Sequence, residues 1–254
     1  MRTVLAATLI LGVCLGCRPA SAAEVKVLTA GAFRPIVSAL APEFERVTGD
    51  SLVESHDTAG ALFRRIEGGE RFDLVILTSA AITDLMAQGK VAAGKSAGLA
   101  RVGIGVAVKE GVPFPPIDSV EAFKQAMLGA PSVAYIDPAA GGSSGIYLDQ
   151  LFQRLGLADA VKAKAVLVQG GLVADRLVTG DATVGMQQIS ELLAVKGVRL
   201  VGPLPAAIQN YTIYAGGIGA TSGQPEAAQR LLDFLQSEAA LALLRKNGMD
   251  SPRD

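Results

Sequence analysis

Cysteine, histidine and tryptophan are almost missing from this chain. Its 254 residues include two cysteines, one histidine and no tryptophan. Both cysteines, Cys14 and Cys17, fall in a leading segment that we expect to be removed, which would leave no disulfide, no thiolate metal site and no cysteine nucleophile. The single histidine, His56, cannot form a multi-histidine metal site. The sequence therefore predicts no metal and no cofactor.

A clear excess of one charge is also missing. The chain has 23 basic and 24 acidic residues, and the basic ones are scattered rather than gathered into a stripe that would suit a nucleic acid. Aromatic residues make up 5% of the chain, which leaves little surface for stacking bases or sugars. Beyond the leading segment, no apolar run is long enough for a membrane helix. We therefore expect a monomer that binds a small polar ligand.

The leading segment has the pattern of a secretory signal. Arg2 gives it a basic start, the apolar run 4–15 is too short to stay in a bilayer, and Ala20-Ser21-Ala22 offers small residues at the spacing that signal peptidase requires. We predict that residues 1–22 are removed on export to the periplasm. A lipoprotein is the alternative, because both cysteines lie near the end of the apolar run, although neither follows the expected Leu-small-small sequence.

Short β-branched runs alternate with helical patterns along the rest of the chain. The predicted strands are 25–28, 74–77, 102–108, 133–136, 166–168, 183–186 and 211–215. The main predicted helices are 35–47, 144–155, 175–179, 189–195 and one or two within 226–246. This alternation predicts an α/β fold with mostly parallel sheets flanked by helices.

Two β-rich stretches, 100–108 and 201–215, suggest that the chain crosses twice between lobes. We predict that lobe I combines residues 23–102 and 206–254, and that lobe II, residues 103–205, is inserted between them. A ligand cleft is then expected at the hinge, because ligands of open α/β sheets bind at the carboxyl ends of the strands.

Four junctions lead from an extended segment through small or hydroxyl residues into a helix: 29–33, 55–60, 78–79 and 137–145. The first amides of a helix lack intrahelical acceptors and carry partial positive charge, so several such ends facing one cleft could hold an anion. Helix capping by Ser or Thr would explain any single junction without a ligand. The run GGSSG at 141–145 exceeds what a cap requires, and it lacks the Gly-Lys-Ser/Thr ending of a P-loop.

Several motifs resemble the molybdate-binding-protein-like branch of the type II periplasmic binding proteins. They are the opening 25–33, FERVTG at 44–49, DTAG at 57–60, FDLVI at 72–76 and GDATVG at 180–185. The resemblance covers essentially the whole mature chain. It implies two α/β lobes, a hinged cleft and delivery of a small anionic ligand to an ABC-type permease.

The ligand donors of that branch are only partly matched. Molybdate binders have a serine in the first loop, where this chain has Ala30-Gly31-Ala32, and a tyrosine after the fifth-strand motif, where it has Gln187 and Gln188. These departures favour a di- or tricarboxylate over molybdate or tungstate, since amide dipoles and an arginine suit carboxylates. The candidate ligand-binding residues are Thr29, Gly31, Arg34, Thr58, Ala59, Thr78, Ser79, Ser143, Ser144, Gly145, Gln187 and Gln188.

A second set of motifs resembles the subgroup that includes the periplasmic aconitate isomerase. They are residues 133–135, GMQQISEL at 185–192 and VGPLP at 201–205. That resemblance implies a binding-protein fold that shifts a proton on its substrate, and such a reaction needs a base near an acidic carbon. His56 is the candidate catalytic residue because its unperturbed pKa lies near neutrality. The alternative is that His56 is merely an exposed or capping residue beside Asp57. A third hypothesis for the whole protein is a sensory or scaffold role in which the closed-lobe state is the signal.

Overall fold

The computed structural model describes residues 22–114 and 116–252. The predicted signal peptide, except for its last residue, and the lipoprotein alternative lie outside these residues. In the two described ranges, no helix has the length and apolar character needed to cross a membrane.

Strands and helices alternate along the described residues. The strands are β1 (Glu24–Ala30), β2 (Ser51–Asp57), β3 (Leu74–Thr78), β4 (Val91–Lys109), β5 (Val133–Ile136), β6 (Ala165–Val168), β7 (Val184–Gln188), β8 (Val198–Pro203), β9 (Tyr211–Gly219) and β10 (Met249–Asp250). The α-helices are α1 (Arg34–Thr48), α2 (Ala59–Glu67), α3 (Ser79–Ala87), α4 (Val120–Gly129), α5 (Ser143–Arg154), α6 (Ala158–Lys162), α7 (Ala174–Thr179), α8 (Ile189–Leu193), α9 (Pro225–Phe234) and α10 (Glu238–Lys246). Short 3-10 turns occupy Gly31–Phe33, Pro138–Ala140 and Ala206–Ile208.

The strands are ordered β2-β1-β3-β9-β4-β7-β5-β6. At one end β1 runs parallel to β2 and β3, and at the other end β5 runs parallel to β6 and β7. Between these parallel groups, β9 and β4 run antiparallel to their neighbours. The predicted α/β fold is confirmed.

Helix α1 illustrates how local sequence sets an element. Pro35 lies in the first turn, where its missing N–H costs nothing. Its buried face carries Ile36, Leu40 and Phe44 among others, which is the spacing that places side chains on one side of a helix. The helix ends at Gly49, whose φ of 78° closes the last turn with its N–H donated to the carbonyl of Glu45.

The buried side chains form separate hydrophobic cores in the two halves of the molecule. One core draws on residues between 23 and 102 and between 214 and 249. The others draw only on residues between 104 and 208. Strand β4 contributes to both halves, with Val102 in the first core and Ile104 in the second. The boundaries of the two lobes given above stay a prediction.

Gln209 joins the two chain segments that cross between the halves. Its side-chain Oε1 accepts the N–H of Ile104 at 2.9 Å, and its Nε2 donates to the carbonyl of the same residue at 2.9 Å. The N–H of Leu204 donates to that carbonyl as well, at 3.0 Å. These bonds connect β4, which leaves the first half, with the segment that returns to it.

Some elements were not predicted from the sequence. Strand β2 lies at the edge of the sheet and is only partly buried, so its polar sequence lacks the apolar runs by which the inner strands were found. Strands β8 and β10 and helices α4 and α6 were missed as well. The closing pattern 226–246 resolves into two helices, α9 and α10.

Candidate functional site

A cavity of about 50 Å³ lies between the two halves of the molecule. A single water molecule needs about 10–15 Å³ of cavity volume measured in the same way. In this conformation the cavity therefore has room only for a small ligand. Its walls come from both halves: the loop after β1, the end of β2, the loop before α5, the loop before α7, and the region where β7 leads into α8. The lining residues are Ala30, Gly31, Ala32, Arg34, His56, Asp57, Thr58, Ala59, Ile136, Gly142, Ser143, Ser144, Gly171, Leu172, Gln187, Gln188, Glu191 and Tyr214.

Most of the candidate residues named from the sequence line this cavity. They are Gly31, Arg34, His56, Thr58, Ala59, Ser143, Ser144, Gln187 and Gln188. They come from sequence segments up to about 150 residues apart, because the carboxyl ends of parallel strands meet at one edge of each sheet. That these residues contact a ligand stays a prediction.

Four candidate residues do not line the cavity. The hydroxyl of Thr29 is fully buried and donates to the carbonyl of Ala30. Thr78 and Ser79 begin α3, where the Thr78 hydroxyl accepts the N–H of Ala81. Thr78 pairs with Tyr214 of β9, and Tyr214 lines the cavity while Thr78 does not.

The fourth is Gly145, which packs tightly under the backbone of Ile136. A side chain at this position would collide with that strand. Gly145 therefore allows α5 to approach β5 closely, and it brings Ser143 and Ser144 to the cavity wall.

The helix ends at the four junctions differ in how they are capped. Thr58 caps α2 by accepting the N–H of Ala61, and Thr78 caps α3 in the same way. Helix α5 follows Gly142, which has no side chain to cap it, and its first amides receive no side-chain bond. Helix α1 at the first junction also has no side-chain cap, but Pro35 in its first turn offers no N–H. Since Gly142, Ser143 and Ser144 all line the cavity, the uncapped and partly positive end of α5 is suited to a negatively charged guest.

Gln188 orients the serine at this helix end. Its Nε2 donates to the Ser143 hydroxyl at 2.9 Å and to the Thr212 hydroxyl at 3.1 Å. The Ser143 oxygen lies 3.4 Å from the hydroxyl of Tyr214. Ser143 already accepts a bond from Gln188, so its own O–H can be donated to a guest.

Gln187 has a different, structural role. Its Oε1 accepts the N–H of Val173 at 2.8 Å, and its Nε2 donates to the carbonyl of Gly171 at 3.0 Å. Both bonds hold the loop that precedes α7 against the cavity. The two neighbouring glutamines, which the sequence could not separate, therefore do different things.

Direct contacts between the halves close the cavity. The Thr58 hydroxyl donates to the carbonyl of Ala140 at 2.6 Å, and the N–H of Gly60 donates to the carbonyl of Gly141 at 3.0 Å. The backbones at Gly60 and Gly141 approach so closely that a Cβ on Gly60 would come within 2.9 Å of the Gly141 Cα. Thr58 was predicted to bind the ligand, but in this closed arrangement its hydroxyl bonds to the opposite half.

His56 and Arg34 lie on the exposed side of the cavity. Partial burial, followed by the positive charge of Arg34, lowers the pKa of His56, while Asp57 and Glu54 act against that shift. The imidazole is therefore neutral at neutral pH. Asp57 is held in place because it accepts the N–H of Thr58 at 2.8 Å and lies 3.8 Å from the guanidinium of Arg65.

Glu191 is the functional candidate that sequence reasoning missed. It is 8% exposed and lines the cavity from the first turn of α8, directly after β7. Burial raises the pKa of this carboxyl to about 8, with a hydrogen bond from Gln187 opposing the shift. None of the ion pairs in the described residues involves Glu191. The available signal was an acidic residue three positions after Gln188, in the short helix that follows the QQ pair.

Tyr214 completes this buried polar wall. Burial and then the charge of Glu191 raise the pKa of its phenol, so it stays protonated and can donate a hydrogen bond. In the described part of the chain, no three His, Cys, Asp or Glu side chains come together as a metal site would require. The described wall of the cavity offers hydrogen-bond donors, the guanidinium of Arg34, and two groups that can exchange protons, His56 and Glu191.

Comparisons with known proteins agree with this geometry. A family model described as bacterial extracellular solute-binding protein matches residues 25–250. An aconitate isomerase from Pseudomonas sp. is 36% identical over 229 residues, which cover 88% of this chain and 86% of that protein. The molybdate-binding protein ModA of Azotobacter vinelandii is 26% identical over 246 residues, with 90% of each chain covered. These matches confirm the resemblance seen in the motifs.

The solved structures give the same fold. The periplasmic molybdate-binding protein of Azotobacter vinelandii superposes with a TM-score of 0.74 at 19% sequence identity, and the match covers 89% of this chain and 98% of that one. At this level of identity, the likeness supports the two-lobed binding-protein fold and not the identity of the ligand.

Proposed function

Because this chain belongs to the bacterial extracellular solute-binding protein family, we propose that it binds a small di- or tricarboxylate between its two halves. On this proposal it is exported to the periplasm, acts as a monomer and passes its ligand to an ABC permease. The observation that carries the proposal is the uncapped end of α5, with Ser143 and Ser144, facing a cavity that also holds Arg34.

Two features favour a carboxylate over a tetrahedral oxyanion. The first loop offers Gly31 where a serine hydroxyl would serve an oxyanion, and the hydroxyl of Thr58 is bonded to Ala140. Hydroxyl donors are therefore few on the side of the first half. A polycarboxylate spreads its charge over separated groups, so one carboxylate can lie at the end of α5 while another pairs with Arg34.

Thermal stabilisation by added anions tests this proposal, since a ligand that binds only the folded state raises Tm. We expect citrate, aconitates or other di- and tricarboxylates to raise Tm, and sulfate, phosphate, molybdate and tungstate to have little effect. The variant Ser143→Val should lose the response, and Ser96→Val, which replaces an exposed serine on β4, should keep it. If none of the carboxylates raises Tm, the proposal is refuted.

A second candidate function is isomerisation of aconitate, and the opposite pKa shifts of His56 and Glu191 favour it. His56 is held neutral and can act as a base, while Glu191 is held protonated and can act as an acid. Environments that move two pKa values apart within one site are typical of acid–base catalysis. The relative that is 36% identical carries the name of this activity.

The reaction balances with these two groups. The His56 imidazole takes a proton from the methylene carbon of trans-aconitate, and the electron pair of that C–H bond forms a new double bond to the central carbon. The electrons of the old double bond take up the proton of Glu191 at its other carbon, the one that is not the central carbon. Transfer of the proton from imidazolium to the Glu191 carboxylate, directly or through solvent, restores the starting state. Ser143 and Arg34 would stabilise the negative charge that develops.

NMR of purified protein with trans-aconitate separates the two functions. An isomerase accumulates cis-aconitate, and His56→Gln and Glu191→Gln should each lower kcat by about 100-fold or more, as loss of a general acid or base does. The exposed carboxyl variant Glu121→Gln should turn over like the wild type. Binding without turnover would leave only the receptor function.

A further inference from the structure

The buried carboxyl of Glu191 is the unusual member of an anion site. A receptor for negatively charged ligands gains nothing from an ionised carboxylate in its wall, since like charges repel strongly where water is excluded. Yet Glu191 lines the cavity and is 8% exposed. Its carboxyl also fits closely, because a Cβ on Gly31 would lie 2.6 Å from the Oε1 atom.

Within the described residues, the surroundings of Glu191 supply no compensating cation. Among those that line the cavity, Arg34 is the only Lys or Arg, and its charge acts on His56. The other titratable groups of the wall are Asp57 and Tyr214, of which Asp57 lies near Arg65. Strands β4 and β8, which also pack against α8, contribute no charged side chain to the lining.

We propose that Glu191 selects the ligand while its own side chain is a neutral carboxylic acid. The ligand binds as an anion, and the closed site therefore takes up the anion and one proton together. The O–H of Glu191 donates a hydrogen bond to a ligand carboxylate, and the proton comes from solvent when the residue is ionised beforehand. This inference rests on the proposed carboxylate-binding function and adds to it the state of one wall residue.

The proposal predicts a specific pH dependence. An anion that keeps its full charge above neutrality should bind with constant affinity while free Glu191 is protonated. Above its free pKa of about 8, affinity should fall by about tenfold per pH unit, because each complex must first take up a proton. His56 does not account for a change at alkaline pH. Its pKa is lowered, so the imidazole becomes charged only at acid pH.

Isothermal titration with propane-1,2,3-tricarboxylate tests this. The compound has no double bond, so it cannot be isomerised, and its carboxyls are ionised above neutrality. Titrations between about pH 7 and about pH 10, in buffers of different ionisation enthalpy, give both the affinity and the number of protons taken up. We expect wild-type protein to take up close to one proton at the alkaline end and to lose affinity there.

Glu191→Gln is the decisive variant, because the amide keeps an N–H donor in the same place without titrating. It should bind at neutral pH and show neither proton uptake nor the alkaline loss of affinity. Glu121→Gln on α4, whose side chain is 69% exposed, should retain both, and thermal melts confirm that each variant is folded. Equal alkaline slopes in wild type and Glu191→Gln would overturn the inference alone. Failure of every carboxylate to bind at neutral pH would refute the proposed function itself.

Discussion

The α-carbon of Gly31 lies directly against the carboxyl group of Glu191, and a methyl group placed there would come within 2.6 Å of Oε1. Gly31 belongs to the first loop after β1, and Glu191 to α8, which follows β7. The two residues come from opposite halves of the molecule. Their contact lies in the wall of the cavity, and beside it Ser190 donates its hydroxyl to the carbonyl of Ala32 at 2.8 Å. The contacts that join the two halves therefore lie beside the carboxyl group that we propose selects the ligand.

Gly31→Ala should weaken ligand binding. The added methyl group displaces the Glu191 carboxyl from the cavity wall, and losing the hydrogen bond from that carboxyl to a charged ligand costs about 1.5–3 kcal/mol. We expect the Kd measured by titration to rise by about tenfold or more. Gly129→Ala, at an exposed position with no atom within 4 Å of the new Cβ, should leave the Kd unchanged. Equal affinities of Gly31→Ala and wild type would contradict the close fit.

Thr58→Val should shift the protein toward an open state. It removes the hydroxyl that donates to the Ala140 carbonyl at 2.6 Å and caps α2 through the N–H of Ala61 at 3.1 Å. A lost cap and an unpaired carbonyl together cost about 1–3 kcal/mol. Small-angle scattering should show a larger radius of gyration without ligand, and Thr58→Ser, which keeps the hydroxyl, should scatter like the wild type. An unchanged radius in the valine variant would show that this bond does not hold the halves together.

Glu191 should make the protein less stable as the pH rises. Its folded-state pKa of about 8 lies above the ordinary glutamate value of 4.5, which we take for the unfolded chain. Its contribution to stability is therefore complete below the unfolded value and is lost as the pH rises through the folded one. Relative to Glu191→Gln, the wild type should lose about 1.4 kcal/mol per pH unit within that window. Denaturant unfolding at several pH values gives the difference, and Glu121→Gln should follow the wild type. A difference independent of pH would mean that Glu191 is not held protonated.

Arg34→Gln should reduce affinity and its dependence on salt. Arg34 begins α1 and is the one guanidinium that the described residues place on the cavity wall. A hydrogen bond to a charged group contributes about 1.5–3 kcal/mol. We expect a Kd about ten times higher or more, with a shallower rise as ionic strength increases. Arg46→Gln, near the other end of the same helix, removes an equal charge that pairs with Glu43 and should bind as the wild type does. Identical salt dependence in both variants would place Arg34 outside the binding contacts.

Much of the site was predictable because local chemistry marked it. The GGSSG run where α5 begins and the QQ pair at the end of β7 stand out in the sequence, and Gly142, Ser143, Ser144, Gln187 and Gln188 from them line the cavity. Thr78 and Ser79 carried the same kind of signal, but Thr78 caps α3 and Ser79 is the first residue of that helix. A cap and a ligand donor have the same sequence pattern, and only the direction of the helix end separates them.

The sequence by itself determined the alternation of strands and helices, the family and the loops from which a binding site could be built, since these follow from periodicity, turn residues and motifs within short stretches of chain. Only the tertiary structure decided that Glu191 faces Gly31, that Thr58 bonds to Ala140, and that the end of α5 is left uncapped toward the cavity. Each of these depends on groups far apart in the chain. The protonation of Glu191 depends further on how completely those groups exclude water, which no local pattern encodes.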